Sequence, residues 1–174
     1  MKDKPDLYVY CLNQDDPKKC TARKLQHFGL AKMLKHRFEV PKKAILLNPF
    51  VSTILTPLDR EYVARFGVVS IDCSWKKVKE VFRWKFKGLN RRLPLLIPAN
   101  PINYGHIGRL SSLEALAATL YISGFKSYAE EVLSIYKWGK VFLTLNKEPL
   151  EDYSKAKSIE EVLRLEKEYF PINL

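Results

Sequence analysis

Three short apolar runs constrain the fold of this chain more than any other feature: LYVYCL at residues 7–12, AILL at 44–47 and VVSI at 68–71. Each is continuous rather than alternating in polarity, the pattern of strands covered on both faces. Helical stretches separate them. KKCTARKL, from Lys18 onward, is predicted to enter a helix running toward Leu34, and a second helix is predicted between Thr56-Pro57 and Gly67. Thr56 reads as its N-cap and Pro57 as its first helical residue, with Asp59 and Glu61 in the first turn, where the helix dipole favours acids. Strands alternating with helices predict a parallel α/β sheet. Such folds bind ligands at the carboxyl ends of their strands. Here those ends carry Asn13-Gln14-Asp15-Asp16-Pro17, Asn48-Pro49 and Asp72-Cys73-Ser74-Trp75.

Residues 92–118, RLPLLIPANPINYGHIGRLSSLEALAA, connect this half to the next. The apolar run at 93–97 reads as a strand and Pro98 to Gly108 as a stiffened polar loop. Ser111 and Glu114 form a capping box at a helix start. The stretch is either an ordinary connection or a ligand cradle of backbone N–H groups. Beyond it the pattern is helical only. Ser127 with Glu130 and Ser158 with Glu161 are spaced to cap two further helices, and WGKVFLTL at 138–145 reads as a helix between them. The expected organisation is therefore an α/β half over residues 1–92 and a mostly helical half over 93–174.

Charge narrows the function. The chain carries 30 Lys+Arg against 19 Asp+Glu, a net +11, which points to a polyanion and most directly to nucleic acid. Residues 76–92 hold Lys76, Lys77, Lys79, Arg83, Lys85, Lys87, Arg91 and Arg92 against Glu80 alone, with Phe82, Trp84 and Phe86 interleaved. Cations neutralise phosphates and exposed rings stack on unpaired bases. The stretch reads as an amphipathic helix with Trp75, Val78, Phe82, Phe86 and Leu89 toward the core. Trp84 lies off that stripe and is expected to be exposed. Asp72, at a strand end, is either an active-site acid or a helix cap, and Trp75 either core or a flat wall for a base. Cys11, Cys20 and Cys73 cannot pair completely, no metal-ligand spacing is present, and they read as packing or loop residues. His27, His36 and His106 are isolated and expected to have no chemical role. Neither a signal peptide nor an apolar run of membrane length occurs, so a cytoplasmic protein without a membrane partner is expected. Catalytic triads, P-loops and dinucleotide glycine fingerprints are not found.

Taken together, Ile71-Asp72-Cys73-Ser74-Trp75, then Leu93-Pro94 with Ala99-Asn100-Pro101-x-Asn103-Tyr104-Gly105, then Leu110-Ser111-x-x-Glu114-Ala115-x-Ala117-Ala118, resemble the small-subunit rRNA aminocarboxypropyltransferases. The block Cys20-Thr21-Ala22-Arg23-Lys24-Leu25 and Leu47-x-Pro49 match too. The resemblance implies transfer of the 3-amino-3-carboxypropyl group of S-adenosylmethionine to N3 of a pseudouridine, usually already N1-methylated, in small-subunit rRNA, with release of 5′-methylthioadenosine. It implies a fold like that of the knotted SPOUT RNA methyltransferases, an rRNA or pre-ribosomal partner and a monomer. Carried over, it assigns Leu47, Pro49, Trp75, Leu110 and Ala115 to an adenine and methylthio pocket, and backbone contacts to Ile71, Leu93 and Gly108. Thr21 and Ser112 would hold the amino-acid end, with Asp72 nearest the transfer. The pattern departs at His106-Ile107-Gly108, where a basic residue, a proline and an aromatic are commoner. On the residues alone, a knotted-class rRNA methyltransferase and a non-catalytic rRNA-binding assembly factor stand as alternatives. The RNA face would comprise Lys76, Lys77, Lys79, Arg83, Lys87 and Arg91.

Overall fold

The computed structural model describes residues 3–14 and 16–171. Asp15, in the first predicted turn, lies outside them. Five parallel strands, β1 (Leu7–Cys11), β2 (Lys32–Leu34), β3 (Ile45–Leu47), β4 (Val68–Asp72) and β5 (Leu89–Arg91), form one sheet in the order β2-β1-β4-β3-β5. The three apolar runs are its central strands. On one face Leu7, Val9, Ile45 and Val68 join a large core; on the other Leu46, Val69 and Ile71 pack with Val40, Val81, Tyr8, Tyr10, Phe82 and Phe86. Burial on both faces is why these runs carry almost no polar residues.

The edge strands depart from expectation. The helix predicted to run toward Leu34 ends early: α1 spans Thr21–His27, and Lys32–Leu34 is β2. The basic helix predicted over residues 76–92 is only the single turn of α3 (Val78–Val81), after which the chain enters β5. Gly88 explains that change. It sits at φ +105°, and a Cβ there would come 3.0 Å from the Ala44 carbonyl oxygen and 3.2 Å from the Leu46 Cβ. Only glycine lets β5 enter so close beside β3.

The predicted capping at Thr56 is present. Its hydroxyl accepts from the Leu58 N–H and the Asp59 carboxylate accepts from the Thr56 N–H, starting a 3-10 turn that runs into α2 (Arg60–Phe66). The helical half holds α4 (Ser112–Ile122), α5 (Lys126–Leu133), α6 (Gly139–Leu145), α7 (Lys147–Lys155) and α8 (Ile159–Tyr169). Ser111 and Ser158 cap α4 and α8 as expected. Ser127 does not cap α5, which begins before it with Phe125 at the cap position. The sequence reading did not foresee α7. Helix α4 is the central element of the core: Leu113, Leu116 and Leu120 are fully buried, in contact with the sheet and with α1, α5 and α7.

Residues 93–97 are not a strand. Pro94 and Pro98 have no N–H to give a ladder; the backbone groups of Leu95 and Ile97 pair with side chains of the helical half, while the Leu96 carbonyl accepts from the Gly108 N–H and the Leu93 carbonyl from Arg92. Glu166 accepts from the Leu95 N–H (2.8 Å) and both terminal nitrogens of Arg92 (2.8 and 2.9 Å). Asn146 accepts from the Ile97 N–H (2.7 Å) and donates to the Ile97 carbonyl (2.8 Å), and Tyr153 donates to the Leu95 carbonyl (3.1 Å). A segment outside the sheet thus finds partners for the backbone groups of Leu95 and Ile97 among side chains of the helical half.

Helices α4 and α7 are also joined by Glu151, which accepts from the Tyr121 hydroxyl and from the Lys126 ammonium. These donors pull its carboxyl from the ordinary 4.5 down to about 2. A depressed carboxyl pKa contributes stability that is complete above the unfolded value and is lost as pH falls through the folded one. Thermal melts should therefore show a loss between pH about 4.5 and about 2 that is smaller in Glu151→Gln. Parallel melting curves for the two proteins across that window would remove Glu151 from the acid response.

Candidate active site

At the carboxyl ends of β1, β4 and β3 the chain encloses a cleft of about 1090 Å³, large enough for a nucleoside and an attached amino acid. Its lining comes from distant segments. Leu47 and Pro49 follow β3, Ile71 and Asp72 end β4, and Trp75 lies just beyond. Thr21 opens α1, Leu93 follows β5, Gly108 and Leu110 close the loop before α4, and Ser112 and Ala115 occupy its first turns. The one carboxylate among the described lining residues is Asp72, against Lys18, Lys19, Lys76, Arg92 and Arg109.

Asp72 is not a helix cap. The next helix starts at Val78, and the local turn is closed by Ser74 accepting from the Lys76 N–H. Its carboxylate instead gathers three side chains. Ser112 donates to Oδ1 at 2.7 Å, and the thiols of Cys11 and Cys20 donate to Oδ2 at 3.4 Å each. Cys11 is the register partner of Asp72 in the sheet, and Cys20 precedes α1, so the two cysteines do more than pack. Cys11 has one proton to share between Cys20 and Asp72. Its bond to Cys20 and its burial raise its pKa, while accepting that bond pulls Cys20 below the usual thiol range. The two sulfurs and a carboxylate oxygen lie within 4.8 Å of one another, a donor set able to grip a soft divalent cation.

The loop before α4 is anchored on Glu114, which is fully buried. One carboxylate oxygen accepts from the backbone N–H groups of Ala99 (2.7 Å) and Asn100 (3.3 Å). The other accepts from the Asn100 amide (2.6 Å) and from the Ser111 N–H and hydroxyl (3.0 Å each). Glu114 therefore fastens the whole loop to α4, well beyond its predicted capping role. Trp75 lies across the cleft, its indole N–H donating to the Leu110 carbonyl at 3.2 Å. The Gly108 N–H is engaged with the Leu96 carbonyl at 2.9 Å. Thr21 accepts from the Leu113 N–H at 3.4 Å, tying α1 to α4.

Several lining residues escaped sequence reasoning. Tyr136 and Trp138, from the turn between α5 and α6, stack at 4.7 Å, and the Lys24 ammonium sits 3.9 Å from the Tyr136 ring centre. Both fall within or beside stretches read as helices, and no local signal marked them as cleft residues. Asn100 and Asn103, from the loop read as a possible ligand cradle, line the cleft, and His106 lines it too. Of the basic residues, Lys76, Lys77, Lys79, Arg83 and Lys87 are exposed and Lys76 lines the cleft. Arg91 is different: its Nε lies 3.1 Å from the Asp59 carboxylate, with the side chain 21% exposed. It braces β5 and does not belong to the solvated basic face. Trp84 is 45% exposed, as its place off the apolar stripe predicted.

A family profile described as "Ribosome biogenesis protein, C-terminal" matches residues 45–170, and one described as "Possible Fer4-like domain in RNase L inhibitor, RLI" matches residues 5–37. An iron–sulfur cluster of four irons takes four thiolates. Residues 5–37 offer Cys11 and Cys20 alone, so the chain does not fit such a group. The chain is 44% identical over 166 residues to the 16S rRNA aminocarboxypropyltransferase of Methanocaldococcus jannaschii, covering 95% of this chain and 96% of that protein. It is 43% identical over 165 residues to the protein of the same name from Methanococcoides burtonii, covering 94% of each. Its structure superposes on that of the SAM-dependent rRNA:acp-transferase Tsr3 from Vulcanisaeta distributa with a TM-score of 0.89 and 44% identity, over 98% of this chain and 91% of the other.

Proposed function

As the chain belongs to the 16S rRNA aminocarboxypropyltransferase family, we propose that it transfers the 3-amino-3-carboxypropyl group of S-adenosylmethionine to small-subunit rRNA during ribosome biogenesis. One observation carries the reading: residues scattered from Thr21 to Ala115 converge on a single cleft at the strand ends. The acceptor in this reading is N3 of a pseudouridine, N1-methylated beforehand, and the nucleoside product is 5′-methylthioadenosine. A trefoil-knotted path of the chain, action as a monomer and a cytoplasmic location complete it, with family membership as their support.

The cleft suits the cofactor by its chemistry. Leu47, Pro49, Leu110 and Ala115 offer apolar walls and Trp75 a flat face, while Asp72 offers the countercharge for a cationic ligand among surrounding lysines and arginines. S-adenosylmethionine supplies a sulfonium that leaves as a neutral thioether. The protein therefore has mainly to aim one carbon at the acceptor and exclude the others. Thr21 and Ser112, at the starts of α1 and α4, stand where an amino-acid end would be held. Asp72 takes the acceptor's N–H proton: three protein donors occupy it, and a carboxylate has about four lone-pair sites.

The purified protein, given S-adenosylmethionine and the rRNA hairpin, should release methylthioadenosine and leave the acceptor base heavier by one aminocarboxypropyl group, as read by mass spectrometry. S-adenosylhomocysteine as the product would instead establish methyl transfer and refute the proposal. Trp75→Ala should weaken S-adenosylmethionine binding about tenfold in calorimetry, within the ~1–3 kcal/mol that base–aromatic stacking contributes. An unchanged affinity in the folded variant would take Trp75 out of the pocket.

A further inference from the structure

We propose that the protein carries a second nucleotide subsite outside the active cleft, in which His36, Phe38 and Trp84 stack an unpaired base of the RNA and Arg37 meets its phosphate. The identity of the RNA rests on the function proposed above; the subsite itself rests on the surface.

A separate cavity of about 420 Å³ is lined by Tyr10, His36, Arg37, Phe38 and Trp84. It presents four aromatic rings and one guanidinium. The rings of His36 and Phe38 are stacked, with centroids 5.1 Å apart and planes 10° from parallel. Phe38 is 65% exposed and Trp84 45%. Rings grouped in the open on a soluble chain mark a binding surface. They are not loose ornaments: a 3-10 turn at Arg37–Glu39 carries Phe38, and the Trp84 N–H is bonded to the Val81 carbonyl.

The charges around the rings select the occupant. Lys35 and Arg37 flank His36, and Arg83, Lys85 and Lys87 surround Trp84 in sequence; all five are exposed. Protein-binding patches are depleted in lysine at their centres. Cations interleaved with exposed rings instead suit a single strand, whose phosphates and bases alternate in the same way. The subsite is also linked to the cleft. Tyr10, in its floor, meets the Phe86 ring at 6.0 Å, Phe86 meets Phe82 at 6.1 Å, and Phe82 lines the active cleft. A row of rings on one face of the sheet thus joins the subsite to the cleft at the strand ends, giving an RNA strand two holds, one for the reacting nucleotide and one for another nucleotide of the same loop.

The test uses the intact protein and two readouts. Binding of a short, fluorescently labelled single-stranded oligoribonucleotide is followed by fluorescence anisotropy, and the KM for the rRNA hairpin by aminocarboxypropyl transfer. Phe38→Ala and Trp84→Ala should each weaken the oligonucleotide and raise the RNA KM about tenfold, in the range for one base–aromatic stack. Phe38→Leu, which keeps apolar bulk without the ring, should behave like Phe38→Ala. Phe28→Ala removes an aromatic that is 54% exposed and lines neither cavity, and should change neither readout. Loss of oligonucleotide binding in the variants, even if the wild type performs no transfer, keeps the subsite while the activity falls. Transfer by the wild type with an unaltered KM in both alanine variants overturns the subsite and leaves the activity standing. Displacement of the oligonucleotide by an acidic peptide at equal concentration, with the duplex form of the RNA bound as well as the single strand, also overturns it.

Discussion

Glu114→Ala is expected to cost about 4 kcal/mol or more of folding stability, because it strands several buried donors at once, each at ~1–3 kcal/mol. The Ala99 and Asn100 backbone N–H groups, the Asn100 amide and the Ser111 N–H all end on this one carboxylate, which is fully buried. For a chain of this length the melting temperature should fall by roughly 10 °C. Glu114→Gln should be milder, since an amide keeps one acceptor oxygen but turns its nitrogen toward donors on the other side. The same substitution frees the loop that walls the cleft, so cofactor affinity should fall together with stability. Urea midpoints settle the matter: a loss below about 1 kcal/mol would mean that the loop finds other partners.

The second large effect is expected at Asp72. Asp72→Asn should slow transfer by about 10²-fold or more, the usual contribution of a positioned base. Because Asp72 caps no helix, the good capping ability of asparagine does not rescue it. An asparagine can still accept from Ser112, but its amide nitrogen then faces the thiols of Cys11 and Cys20, where the carboxylate oxygen accepted from both. S-adenosylmethionine affinity should fall with the lost countercharge but less than the rate, since the apolar walls remain. Single-turnover rates with saturating cofactor separate the two quantities. A near-normal rate in a folded Asp72→Asn protein would assign proton removal to solvent and leave Asp72 as an anchor for the three side chains around it.

What the sequence disclosed follows from how each element is stabilised. The central strands were legible because each is buried on both faces and writes that into an unbroken apolar run. β2 and β5, three residues each at the sheet edges, are too short for any periodicity to outweigh the helical pattern around them. The run at 93–97 looked like a strand because apolar content does not say where backbone groups find partners. Here those of Leu95 and Ile97 find side chains 49 to 71 positions later. Ser127 with Glu130 had the spacing of a capping box, yet the helix takes Lys126 as its first residue. The position of Asp72 at a strand end could be read locally. The thiols that bond to it, from 61 and 52 positions away, could not.

The side chains that hold residues 92–97 have a consequence in time. Translation delivers the sheet first, and its strands can pair as they emerge. The base of the cleft cannot: the amides of Leu95 and Ile97 await Glu166 and Asn146, and the wait spans much of the remaining synthesis. Contacts so distant in sequence form late in folding. A nascent chain short of Glu166 therefore has the framework of a transferase and no finished place for its ligand. Competence arrives at one moment, when the helical half docks, and an interrupted chain is left inert instead of partly active.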